Sequence, residues 1–154
     1  MGRVSTVPNN ICGGEIRLLT INMFMRPPGV TTNGDDYKIE RLHAFAENHM
    51  ENFDVICFQE LFSLVAFWKE RMVSLAQQKG LIYHVVSPTP WFFEKELCDG
   101  GLLIVSRYPI VDTSFTRFDA SIIPLLADAF CTKGLLYAKI ALEEMNLHLF
   151  NTHC

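Results

Sequence analysis

Asp54-Val55-Ile56-Cys57-Phe58-Gln59-Glu60 is the stretch on which the fold turns. Asp54 to Phe58 is a compact apolar run, as a strand buried on both faces would be. It ends abruptly on an amide and a carboxylate. Working outward, Ile16–Asn22 follows the Gly13-Gly14 turn, and Leu81–Val86 follows Gly80. Gly101–Ser106 runs up to Arg107-Tyr108-Pro109, while Gly134–Leu142 and Leu147–His153 flank Glu143–Asn146 as a hairpin would. Two helices fit between the first three strands. Asp36 is the expected cap of one, with Ile39, Leu42, Phe45 and Ala46 at helical spacing. Ser63 is the expected cap of the other, with Leu64, Phe67, Trp68, Met72 and Leu75 as a core-packing stripe that Gly80 stops. Strand, helix, strand, helix and then several strands make a layered α+β or α/β domain.

The chain has 154 residues, 49% of them hydrophobic and 19% charged, which suits one folded domain and argues against disorder. A net charge of -4 gives no general attraction to nucleic acid or anionic lipid. Cys12, Cys57, Cys98, Cys131 and Cys154 are scattered, odd in number and never spaced as C-x-x-C, so reduced thiols are expected, without a disulfide framework or zinc site. Met1–Asn10 has no apolar core of a signal peptide, and no window of the chain is apolar enough to span a membrane. The expectation is a cytoplasmic protein, able to act peripherally at membranes.

Three predicted strands end on polar side chains: Thr20-Ile21-Asn22, Phe58-Gln59-Glu60 and Asn151-Thr152-His153. An amide, a carboxylate and an imidazole in one cleft suit a hard divalent cation and a phosphate oxygen. Magnesium takes oxygen ligands, keeps several waters and uses one or two carboxylates, which makes Glu60 the natural ligand. Asn22 can join the metal's shell through its oxygen or donate to phosphate through its amide. His153 can donate to charge building on phosphoryl oxygens. Singly, each residue is more often a turn, solvated or structural side chain.

In combination, T-x-N, D-V-I-C-F-Q-E, G-G-L-L-I-V-S-R-Y-P-I and N-T-H resemble the signature blocks of the endonuclease/exonuclease/phosphatase superfamily, from Ile16 to His153. The resemblance implies a four-layer α/β/β/α sandwich, of which this chain is expected to supply roughly the first sheet and its helices. Glu60 matches that family's magnesium-binding glutamate, Asn22 the asparagine beside it, and His153 the histidine at the scissile phosphate. Arg107, in the S-R-Y-P-I block, is expected to serve packing or an ion pair. The superfamily's Asp-x-Asn and Asp-His pairs, the second carrying the general base, do not occur by Cys154. The expectation is therefore an N-terminal tail over 1–14 and a partial domain over 15–154, truncated at the C-terminus and inactive when isolated.

Asp128-Ala129-Phe130-Cys131-Thr132-Lys133-Gly134-Leu135-Leu136-Tyr137 is similar to the neutral sphingomyelinase branch, which carries an Asp and a Lys at this spacing near the substrate. That resemblance implies Asp128 and Lys133 as substrate-binding residues and sphingomyelin at a membrane surface as the partner. A surface Asp–Lys pair is the plainer reading of the spacing alone. Some bacterial members bind a second metal through two acids before the Gly-Gly; here Cys98 replaces the first and leaves Asp99. Ser114–Phe130 and Trp91-Phe92-Phe93 read either as apolar loops that dip into lipid or as loops packed on their own domain. The rival readings are a nuclease or inositol-phosphate phosphatase of the same superfamily, with nucleic acid disfavoured by the lack of a basic stripe, and a non-catalytic product.

Overall fold

Every residue of the Asp54–Glu60 stretch is buried, and it lies at the centre of the first of two sheets. The computed structural model describes residues 15–25, 36–62, 67–89, 99–118 and 132–153. Its elements run β1 (Leu18–Met25), α1 (Lys38–Asn48), β2 (Val55–Leu61), α2 (Trp68–Gln78), β3 (Tyr83–Val86), β4 (Leu103–Ser106), β5 (Ile110–Arg117), β6 (Gly134–Ala141) and β7 (Asn146–Thr152). One sheet has the order β1-β2-β4-β3, with β1 parallel to β2 and the remaining pairs antiparallel. The other has the antiparallel order β5-β6-β7.

The two sheets of the expected sandwich are both present: the chain contributes strands to each, rather than to roughly the first alone. Side chains alternate across each strand, so β2 feeds two cores. Ile56 and Phe58 join Leu103, Val105 and the helical Leu42, Phe45, Trp68 and Met72 in one. Val55 and Cys57 join Ile104, Leu136, Ala138 and Ile140 between the sheets in the other. Helices, first sheet and second sheet are thus three stacked layers of a sandwich. The β6–β7 hairpin forms as expected, with Leu142 N–H donating to Met145 O at 2.9 Å.

Both helix starts differ from the sequence reading. Tyr37, not Asp36, stands at the α1 cap, in the left-handed region at φ 47, with no side-chain cap bond. Asp36 instead gives its backbone oxygen to Arg41 Nε at 2.8 Å. Phe67 caps α2 at φ 53 and is 61% exposed rather than in the core, while Ser63 and Leu64 lie outside the described residues. The stripe that packs is Trp68, Met72 and Ala76, with Val73 and Leu75 at its edges. The first residues of the expected apolar loop, 114–117, are the end of strand β5, whose alternation is broken by a register shift between Ile110 and Asp112 that hid it. Trp91–Phe93 and residues 119–131 lie outside the described residues.

Arg107 is a structural residue. Its guanidinium donates to the carbonyls of Lys79 (2.9 Å), Phe53 (3.2 Å) and Glu51 (3.2 Å), and lies 3.7 Å from Asp54. It ties the end of α2 to the start of β2. Arg107→Ala strands these carbonyls and is expected to lower stability by about 2 kcal/mol. The check is a fall in denaturant midpoint at unchanged slope. Arg107→Lys should recover only part of the loss, because an ammonium cannot reproduce the fork.

Candidate active site

At the open end of the first sheet, β1 carries one residue more than β2. Asn22 pairs with Gln59 and Met25 with Leu61, so three steps on β1 oppose two on β2. Such a bulge bends the strand and re-aims its side chains. Phe24 within it takes φ 55, and across from it Glu60 takes φ 55. Neither is glycine, and a left-handed residue of this kind costs about 1–3 kcal/mol unless its surroundings impose it. Arg41 of α1 fixes the bulge from outside, donating to Met23 O at 2.8 Å and Phe24 O at 3.2 Å. Nothing in the helical spacing around Arg41 announced that contact.

The bulge and the turn at Glu60 bring the three sequence candidates together. Asn22 Nδ2 donates to Glu60 Oε1 at 2.8 Å and lies 3.3 Å from His153 Nε2. His153 Nε2 is 3.4 Å from Glu60 Oε1. Asn22 Oδ1 accepts from Phe24 N–H at 2.8 Å, so the amide nitrogen, not the oxygen, faces the carboxylate. His153 directly follows β7 of the second sheet, so the triangle spans both sheets.

Two neighbours from the same sequence blocks hold it there. Gln59 Nε2 donates to Asn151 Oδ1 at 2.7 Å and to Thr20 Oγ1 at 3.0 Å. Asn151 Nδ2 donates across the sheets to Phe58 O at 2.9 Å and Leu103 O at 3.3 Å. Both amides are buried, and buried amides need partners. Two amides inside apolar strands were the available signal for this tie. Asn151→Leu takes one acceptor from Gln59, which keeps Thr20, and a donor from two buried carbonyls, and is expected to cost about 2 kcal/mol. A lowered thermal midpoint, with a shifted His153 ring resonance, is the check.

The turn before β4 closes the site from below. Gly101 sits at φ +60, and a Cβ there would meet Leu61 N at 3.0 Å and Glu60 Cα at 3.1 Å. Leu61 N–H donates to Gly101 O at 2.9 Å. Asp99 accepts from Gly101 N–H at 3.0 Å and binds Lys69 Nζ at 2.6 Å. The acid left from the second-metal pair is thus already committed to an ammonium of the chain itself, and Cys98 lies outside the described residues.

Lys133 precedes β6, whose Leu135 pairs with Thr152 beside His153. The neighbouring Thr132 carbonyl is 2.6 Å from where a Cβ on Gly100 would stand. Lys133 therefore enters at the same end of the sandwich as Glu60 and His153. Asp128 lies outside the described residues. Cys57, between the sheets, is a buried thiol whose pKa burial pushes up to about 11, so it remains protonated and inert.

Among the described residues, no group of three or more His, Cys, Asp and Glu side chains forms a ready metal cage. Glu60 Oε2 is nevertheless buried without a hydrogen-bond partner, beside an Oε1 that Asn22 orients. An orphaned, aimed carboxylate oxygen fits a hard cation that draws its other ligands from water and substrate. No helix among the described residues is long and apolar enough to cross a membrane.

No family model matches the chain. A sphingomyelinase of Dictyostelium discoideum is 32% identical over 138 residues, 84% of this chain. Sphingomyelinase C 2 of Leptospira interrogans is 31% identical over 148 residues, 90% of this chain. The chain spans only 29% and 23% of the length of these relatives. Among solved structures, SmcL superposes with a TM-score of 0.74 at 22% identity, over 92% of this chain and 48% of that one. A beta toxin of Staphylococcus aureus solved with bound magnesium ions gives 0.72 at 21% identity, over 91% and 49%. An endonuclease/exonuclease/phosphatase family protein of Leptotrichia buccalis gives 0.60 at 15% identity, over 90% and 53%.

Proposed function

We propose that this chain, which is related to the sphingomyelinases and has the endonuclease/exonuclease/phosphatase fold, carries the phosphate-holding half of a magnesium-dependent sphingomyelin phosphodiesterase. The observation that carries the reading is the Asn22–Glu60–His153 triangle with its orphaned Glu60 Oε2. In this reading Glu60 holds the cation. When bound, magnesium supplies polarisation of a phosphoryl oxygen and a fixed position for the diester. Asn22 orients the Glu60 carboxylate and turns its amide toward a phosphate oxygen. His153 donates from Nε2 to charge developing on the phosphoryl group. Lys133 pairs with the diester at the mouth of the site. These residues are all committed to metal or phosphate, so the proton of the attacking water goes to a base outside this set. Water oxygen bonds to phosphorus as the bond to the ceramide oxygen breaks, that oxygen takes the proton from the same outside base, phosphocholine is released, and ceramide remains in the lipid surface.

The test is the natural full-length protein with sphingomyelin in mixed micelles, duplex DNA and an inositol polyphosphate, each with magnesium or with EDTA. Phosphocholine release that EDTA abolishes and magnesium restores is expected. Turnover of DNA or of the inositol phosphate alone would overturn the substrate, and turnover of none would leave a non-catalytic product. Lys133→Ala is expected to lower kcat/KM about tenfold, the worth of one charge-assisted contact, at an unchanged thermal midpoint.

A further inference from the structure

Lys69 belongs to α2, on the helical side of the first sheet, yet it is 1% exposed in a helix whose buried face is otherwise apolar. A buried ammonium is costly to desolvate, and an apolar side chain would fill the space as well. What it touches gives it a different use. Its Nζ binds Asp99 Oδ2 at 2.6 Å and donates to Ser87 O at 2.8 Å. Asp99 passes the constraint to Gly101 N–H through its other oxygen at 3.0 Å. Ser87 passes it to the next residue, accepting from Leu102 N–H at its Oγ (3.1 Å) and donating its own N–H to Leu102 O (2.9 Å).

Gly101 and Leu102 are therefore both anchored to one ammonium, each through a single intermediate. That turn lies against the backbone of Glu60 and Leu61, with Gly101 O accepting from Leu61 N–H at 2.9 Å. Glu60 itself stands at φ 55, a conformation that persists only where neighbours impose it. We infer that Lys69 is a positioning residue: through Asp99 and the Gly101 turn it holds Glu60 in the left-handed conformation that aims its carboxylate. Its consequence for magnesium rests on the function proposed above.

The experiment uses the full-length protein with two double variants that both remove the buried charge. Lys69→Met with Asp99→Leu leaves Gly101 N–H without an acceptor; Lys69→Met with Asp99→Asn keeps one. Hydrogen exchange of the Leu61 amide, magnesium affinity by calorimetry, and thermal midpoint are measured for each. The Leu variant is expected to release Leu61 to exchange and to weaken magnesium about 10- to 100-fold, as loss of an outer support does. The Asn variant is expected to return both toward wild type. Leu61 protection unchanged in the Leu variant, or magnesium affinity that follows thermal midpoint rather than the acceptor, overturns the inference. If the wild type takes up no magnesium while Leu61 responds as expected, the positioning role holds and the magnesium reading falls.

Discussion

Replacing Glu60 by Gln in the full-length protein is expected to cut magnesium-dependent hydrolysis by about 10³-fold or more, the upper range for a single group acting on transition-state charge. The side chain keeps its size and can still accept from Asn22 through its amide oxygen. It loses the negative charge and presents an amide donor where a cation would have to approach. The measurement is kcat/KM on sphingomyelin together with magnesium affinity, and both should fall. Stability should not fall with activity. Glu60→Gly removes a left-handed non-glycine residue that costs about 1–3 kcal/mol. It also removes Oε2, a buried acceptor with no partner. Against this stand one lost hydrogen bond of about 1 kcal/mol and the greater freedom of glycine when unfolded, up to about 1 kcal/mol. Glu60→Gly is therefore expected to show no net loss in denaturant midpoint. A large destabilisation would mean that Glu60 serves the fold rather than the site.

The second large effect is expected at Gly101. Gly101→Ala places a methyl 3.0 Å from Leu61 N and 3.1 Å from Glu60 Cα, both backbone atoms of a buried strand, at a φ of +60. The left-handed conformation alone costs an L-residue about 1–2 kcal/mol, and overpacking a close-packed site adds about 1–3 kcal/mol. A loss of roughly 2–4 kcal/mol follows from the two together. Because the atoms pushed are those that aim Glu60, activity should fall further than stability alone requires. Assays well below the variant's own thermal midpoint separate the two. Activity that recovers fully there would confine Gly101 to a structural role.

Much of this architecture was legible in the residues. The Asp54–Phe58 run predicted a strand buried on both faces, because a central strand between helices and a second sheet has no wet face to advertise by alternation. Glu143–Asn146 predicted the hairpin. Asn22, Glu60 and His153 each stood out as a polar side chain at the end of an apolar run. The helix caps were not legible: Asp36 and Ser63 are good cap residues by chemistry, but Tyr37 and Phe67 hold those places in left-handed conformations. Strand β5 was missed because the bulge between Ile110 and Asp112 puts its side chains out of alternation. With β5 a strand, β6 and β7 join it in the second sheet, so the chain supplies more of the sandwich than the first sheet alone.

The sequence by itself therefore determined most of the strands, the strand ends and the identity of the polar groups, since these follow from local patterns of apolar and polar residues. Only the tertiary structure decided that Asn22 and Glu60 meet through a bulge, that Gln59 and Asn151 tie the two sheets near His153, and that Lys69 on the buried face of α2 meets Asp99 before the Gly101 turn. The physical reason is range. Periodicity reports which face of an element is buried, whereas these contacts join residues 38, 92 and 30 positions apart. They depend on backbone kinks and strand register that no local pattern encodes.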